Sequence, residues 1–285
     1  MNKKKKIIII AAAVLIIAAV AIGAKVGIDK SKPRVYTLQS FSITNASKNA
    51  EHNVFLTAHR GFSGKAPENT LSAVKEAGNA EFYGCEFDIR LTSDNLWVVS
   101  HDNDVKRMTD GKGKISEMTL EKVKSHTIDS GSNVKDYPNE KIPTLEEMLD
   151  ECKKSGVNPV IEIKLEKGQT PDYKELAKII TDKGFENCIV ISFDLTALTE
   201  LKKELPNATY RLLASEVNDE IIESCKTNSI DGLDFNGNNE ENLEFIQKAK
   251  DAGLILSAWT IDSTETLDKL YDLGVYYFTT NAIYP

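Results

Sequence analysis

Apolar and polar positions alternate along most of this chain in a regular rhythm. From Pro143 onward, short apolar runs at about 159–163, 188–192, 209–213, 230–235, 254–259 and 275–280 are separated by stretches of helical periodicity at about 144–155, 172–184, 194–204, 217–226, 240–252 and 264–273. Runs this short and this apolar read as strands buried on both faces, and the stretches between them as amphipathic helices packed on those strands. Two more runs come earlier, at 54–58 and 84–89. The first leads into a helix that Thr70 opens, with Leu71, Val74 and Ala77 near helical spacing and Gly78 as its stop. Eight such units predict a TIM-type (β/α)8 barrel over 54–285, with a doubly wound sheet as the weaker alternative. Pro285 follows directly on the last strand, so the eighth helix is expected to be missing or replaced by another segment.

Three segments break the rhythm. Lys3 to Lys6 precede an apolar run from Ile7 to Ala24, which is about eighteen residues and near the lower limit for a spanning helix. Residues 1–24 are therefore expected to form an N-terminal transmembrane helix in the cell membrane, lysines inside and the 54–285 domain outside. Ala19-Val20-Ala21 also fits a small-x-small cleavage site, in which case the product is secreted. Residues 25–53 read as a polar stalk, with a short strand at Val35 to Leu38 and a solvated His52. The polar stretch of about 102–141 is too long for a simple connection and reads as a small module inserted after the second strand, over the site, with His126 at its surface.

Charge and cysteine content narrow the partners. The first thirty residues hold 6 of the 35 Lys and Arg but 1 of the 43 Asp and Glu, so the remainder carries −13. A surface that binds nucleic acid or an anionic membrane by a whole face is basic, which excludes that class; an anionic substrate needs a local positive pocket instead. Cys85, Cys152, Cys188 and Cys225 lack CxxC spacing, and three lie in apolar or helical patterns, so core packing without a disulfide is expected.

The chemistry concentrates between Leu56 and Asp102. His59, Arg60 and Gly61 follow the first apolar run, where a parallel strand would end and its polar groups would point into a site. In the second run period two puts Glu86 and Asp88 on one face and Cys85, Phe87 and Ile89 on the other. Two adjacent carboxylates are costly to bury unless a cation lies between them, so they predict a hard divalent ion, Ca²⁺ or Mg²⁺. A turn around Thr92 to Asn95 then sends Leu96 to Ser100 back as a hairpin arm, which brings His101 opposite the acids. On the next barrel strand Glu162 and Lys164 share a face. Three carboxylates from two neighbouring strands could bind the ion, with Lys164 and Arg60 as the local positive charge and Phe193 and Trp259 at later strand ends as walls for the substrate. A salt-bridged pair is the plain reading of Glu86 and Asp88, and pairing with Glu162 that of Lys164. Two inward acids beside Glu162, however, leave charge uncompensated without a metal. Neither G-x-S-x-G nor a Ser-His-Asp triad geometry is present.

The segments HRG, APENT, E-F-D, T-S-D and V-V-S-H-D, in this order and spacing, resemble the glycerophosphodiester phosphodiesterase family. The likeness continues through MTDGKGKISEMTLEKVKS at 108–125, IPTLEEML at 142–149, IEIK at 161–164, SF at 192–193 and AWT at 258–260. The resemblance implies a metal-dependent TIM barrel that hydrolyses a small glycerophosphodiester, or a glycerol-phosphate polymer, to glycerol 3-phosphate and an alcohol. It implies His59 and His101 as the acid/base pair, Glu86, Asp88 and Glu162 as metal ligands, and Arg60 and Lys164 as phosphate-facing groups. Where the family usually has Thr-Asp-x-Pro at its end, this chain has Thr280-Asn281-Ala282-Ile283-Tyr284-Pro285. Two other readings stand beside hydrolysis: a phospholipase-D-like or cyclising lyase on intact lipid, favoured by long apolar loops that the chain lacks, and a catalytically silent barrel used for binding or scaffolding, expected to have lost one of the seven polar residues.

Overall fold

A computed structural model of the protein describes residues 36–41 and 53–285. In chain order the strands are β1 (Gln39–Ser40), β2 (Phe55–Ala58), β3 (Gly84–Leu91), β4 (Trp97–Val99), β5 (Asn158–Ile163), β6 (Ile189–Ser192), β7 (Thr209–Ala214), β8 (Gly232–Asn236), β9 (Ile255–Trp259), β10 (Tyr277–Thr280) and β11 (Ile283–Tyr284). β2, β3 and β5 to β10 pair in parallel with their neighbours, and β2 pairs with both β3 and β10. The sheet therefore closes into an eight-stranded barrel, which excludes the doubly wound alternative, since an open sheet has two free edges.

Helices follow the barrel strands as α1 (Leu71–Asn79), α2 (Leu120–Ser125), α3 (Leu145–Ser155), α4 (Tyr173–Asp182), α5 (Leu195–Glu204), α6 (Asp219–Thr227), α7 (Ile246–Asp251) and α8 (Thr264–Asp272), of which α2 belongs to the segment inserted after β4. Their starting points are written in short polar residues. Thr70, Asp172, Asp194, Asn218 and Ser263 each accept a hydrogen bond from a backbone N–H of the first turn, and Thr144 with Glu147 forms a reciprocal capping box. These side chains satisfy N–H groups that have no partner inside the helix, and so fix where each loop at the barrel's C-terminal rim ends.

The two faces of β3 divide the molecule. Cys85, Phe87 and Ile89 are fully buried in the large apolar cluster that includes Leu145, Met148 and Leu149 of α3. Burying a side chain of this size is worth roughly 1.5–3 kcal/mol, so the alternation fixes which face of the strand carries Glu86 and Asp88. A smaller cluster of Val160, Ile189, Ile191 and Leu213, with Tyr83 and Trp259 against it, is formed by strand residues of the other parity. The inserted segment has a core of its own, Val98, Val105, Ile115, Val123, Ile128 and Ile142.

Several expectations need adjustment. The helix expected over 240–252 is a 3₁₀ stretch at Glu240–Phe245 followed by α7. The cause is Asn242, whose buried side chain accepts from Val217 N–H and donates to the carbonyls of Ser215 and Asn236, tying the first turns to neighbouring loops. The strand expected at Val35 to Leu38 is found instead at Gln39–Ser40, where it pairs with β11. This two-residue ribbon, and no helix among the described residues, follows β10. His126, expected at the surface of the module, is partly covered there: its ring packs on Gly111, where a Cβ would lie 2.4 Å from Nδ1, and its side chain is 13% exposed. All four cysteines are buried and free. The apolar run at 7–24 and His52 lie outside the described residues, among which no helix is long and apolar enough to cross a membrane.

Candidate active site

The polar residues picked out in the sequence sit on or just after barrel strands, except His101, which follows the hairpin arm β4. His59 and Arg60 directly follow β2, Glu86 and Asp88 lie on β3, Glu162 and Lys164 lie at and just beyond the end of β5, Phe193 follows β6 and Trp259 ends β9. The turn after β2 has left-handed backbone at Arg60, φ 57°, and at Gly61, φ 75°, where a Cβ would lie 2.4 Å from that of Ala73. That sharp turn aims the Arg60 N–H at Glu86 Oε2, 2.7 Å away. The Arg60 guanidinium lies 3.7 Å from Asp88 Oδ2 and donates to Glu68 Oε1 at 2.9 Å.

Register puts Asp88 directly opposite Glu162, and the two share the interior with Glu86. One carboxylate oxygen of each lies within 4.8 Å of the others, and all three residues are buried. Burial, then the charges of Asp88 and Glu162, push Glu86 well above the usual carboxylate range. Burial and then Asp88 push Glu162 up to about 8. Burial acts the same way on Asp88, but His101, Lys164 and Arg60 and a hydrogen bond from Asn69 outweigh it and hold this carboxyl below its usual range. The Lys164 ammonium lies 2.7 Å from Glu162 Oε1 and 3.4 Å from Asp88 Oδ1, so it pairs with both acids. Even so, Glu86 Oε1 and Asp88 Oδ1 are buried without a hydrogen-bond donor. An all-oxygen donor set that leaves buried oxygens without donors fits a hard divalent cation.

The two histidines have different partners. His59 Nδ1 is 2.8 Å from Asn281 Oδ1, which also accepts from Ser63 Oγ, while Asn281 Nδ2 donates to Asp262 Oδ2. That network fixes the amide orientation and puts the His59 proton on Nδ1, which leaves the Nε2 lone pair free, 3.9 Å from Glu86 Oε2. Burial and the Arg60 charge push this ring down to about 3, so it is neutral. Thus Asn281 touches His59 with an amide, and the Asp262 carboxylate stands behind that amide. His101 Nδ1, by contrast, is 2.8 Å from the Asp102 carboxylate, while Arg90 donates two hydrogen bonds to the His101 carbonyl. The antiparallel pairing of β4 with β3 carries it there, Ser100 N–H donating to the Asp88 carbonyl at 2.9 Å.

Both histidines, both cations, Glu86 and Glu162 line one cavity of about 110 Å³, walled further out by Phe193 and Trp259. These two rings meet edge to face at 5.9 Å, and Trp259 donates its indole N–H to the Asp234 carbonyl. Sequence reasoning assigned no role to Glu68, Asn69, Asp102 or Asn281, although all four lie within quoted motifs. Asn69, left-handed at φ 57°, donates to Asp88 Oδ2 at 2.8 Å and accepts from the Asp88 N–H at 3.2 Å. Its place in the A-P-E-N-T segment, two residues after Pro67 and directly before the helix cap Thr70, is the sequence signal that could have found it.

Fold and site together define the class of metal-assisted barrel phosphodiesterases. Residues 59–284 match the Glycerophosphoryl diester phosphodiesterase family, and the chain belongs to that family. It is 31% identical to the glycerophosphodiester phosphodiesterase of Caldanaerobacter subterraneus subsp. tengcongensis, over 76% of this chain and 97% of that one. It is 33% identical to glycerophosphodiester phosphodiesterase 1 of Bos taurus, over 56% of this chain, and spans 46% of that relative's length. Its barrel superimposes with a TM-score of 0.72 and 27% identity on an Oleispira antarctica phosphodiesterase whose structure holds the product sn-glycerol-3-phosphate, covering 80% of this chain and 92% of the other.

Proposed function

We propose that this protein hydrolyses glycerophosphodiesters to glycerol 3-phosphate and an alcohol, with His59 and His101 as the acid/base pair. The observation that carries the reading is the convergence of both rings, both cations, Glu86 and Glu162 on one cavity, with Asp88 beside those two acids. Glu86, Asp88 and Glu162 would hold a divalent ion, Ca²⁺ or Mg²⁺, which when bound offsets charge on a non-bridging phosphate oxygen. Arg60 and Lys164 face the phosphate, and Phe193 and Trp259 cover the substrate. His59, neutral with Nε2 open, accepts the proton of the attacking oxygen as the new bond to phosphorus forms. His101, backed by a carboxylate, donates a proton to the leaving oxygen as its bond to phosphorus breaks. All seven polar residues are present, which speaks against a silent scaffold barrel. The apolar run behind Lys3 to Lys6 supports a membrane anchor with the barrel outside the cell, or secretion if the segment is removed.

An alkoxide leaves poorly without a proton, and a nitrophenolate does not need one. His101→Ala is therefore expected to lose on the order of 10³-fold on glycerophosphocholine and far less on a nitrophenyl ester of glycerol phosphate, while His59→Ala loses heavily on both. Equal losses of His101→Ala on the two esters would remove its role as donor, and the reverse pattern would exchange the two roles.

A further inference from the structure

His101 and Arg60 reach the cavity from different elements, one after β4 and the other after β2, yet they are the two ends of a row of five charged side chains. His101 Nδ1 meets Asp102 Oδ1 at 2.8 Å, and Asp102 Oδ2 accepts from Arg107 Nε at 2.5 Å. Arg107 Nη1 and Nη2 donate to the two oxygens of Glu68 at 3.0 and 2.6 Å, and Glu68 Oε1 also accepts from Arg60 Nη1 at 2.9 Å. Signs alternate along the row. Arg107 is its centre, the last residue of the 3₁₀ turn Val105–Arg107 in the inserted segment, where neighbouring Val105 is buried in that segment's own core.

Resting on the reading of His101 as proton donor and Arg60 as phosphate-facing group, we propose that Arg107 is a positioning residue that orients both. Its Nε edge holds Asp102 against the His101 ring, and its Nη edge holds Glu68 against Arg60. Two carboxylates at different angles require a planar fork with several donors, which an ammonium lacks. Arg90, which also pairs with Glu166, donates to the carbonyl of His101 and not to its ring, so ring orientation depends on the Asp102 side. On this view the inserted segment is a working part of the site, because it supplies the guanidinium.

The two arms predict different kinetic signatures. Through Asp102, Arg107→Met should lower kcat on glycerophosphocholine on the order of 10²-fold, the scale of an ångström-sized misplacement, and leave kcat on the nitrophenyl ester nearly unchanged. Through Glu68, it should raise KM on both esters. Arg107→Lys should not restore kcat, whereas millimolar guanidinium added to Arg107→Ala should restore part of it. Equal loss of kcat on the two esters in folded Arg107→Met, or full activity of Arg107→Lys, overturns the proposal. Asp102→Asn keeps the shape and removes the linking charge, so it provides the same test if the Arg107 variants do not fold: the selective loss supports the proposal, and an equal loss overturns it. His101→Ala measured alongside separates the two readings. If it is itself unselective, the donor role falls and the proposal with it; if it is selective and Arg107→Met is not, the proposal alone falls.

Discussion

Asp88 is buried among charged and polar partners from several elements. It faces Glu162 across the sheet, Glu86 on its own strand, Lys164 and Arg60 at ion-pair distance, and Asn69 through two hydrogen bonds. Asn69 orients the carboxylate without adding charge, which is the task of a residue behind a metal ligand. Asn69→Ala is therefore expected to weaken divalent-ion affinity about 10- to 100-fold, read by calorimetric titration of the metal-stripped protein. Unchanged affinity would show that Asp88 is oriented by its neighbours alone. His59, Glu86, Asp88, His101 and Glu162 were legible in the sequence because each sits within an apolar run whose period dictates its direction or directly after such a run. Glu68, Asn69 and Arg107 were not, because the pairings that place them, Asn69 with Asp88 and Glu68 with Arg107, span 19 and 39 residues and no local pattern records them.

At the scale of elements, the site is a property of two adjacent strands in one register. Opposed like charges destabilise a sheet, and here β3 and β5 accept that cost at Asp88 and Glu162. In metal-free protein the cost has a definite pH dependence. Glu162 is raised from 4.5 to about 8 in the folded state, so the fold holds a proton there that the unfolded chain releases. Its contribution to stability is full below about pH 4.5 and is lost as pH rises through about 8. A bound ion needs the same carboxylate deprotonated, so its stabilisation grows over that window. The melting temperature in chelator should thus fall increasingly below that in excess metal between pH 5 and pH 8. An equal gap at both pH values would mean that Glu162 is not a ligand. Strand and helix positions agree with the apolar pattern to within a few residues, while the 3₁₀ turns at 240–245 escaped it because a buried Asn242 side chain, not periodicity, bends the chain there.

At the scale of the whole molecule, the lysines and the apolar run at the N-terminus predict behaviour that the barrel alone would not have. The full chain should sediment with membranes, and protease added outside intact protoplasts should release the barrel domain. Resistance to that protease would reverse the orientation. Closure of the barrel sets the geometry of everything else. Only because β10 pairs with β2 does Asn281, 222 residues from His59 in sequence, reach its ring, and only because β4 folds onto β3 does His101 face the acids.

Hydrophobic periodicity determined by itself that this chain forms eight barrel strands with helices between them, since burial of apolar faces is a local demand repeated along the chain. It also determined which polar residues point inward, because period two leaves a strand residue no other choice. The tertiary structure alone decided which partner each of those residues meets. The amide that fixes the His59 tautomer, the fork of Arg107 between two carboxylates, and the oxygens of Glu86 and Asp88 left without donors all depend on closure and register, and these arise from contacts between segments that no short stretch of sequence contains.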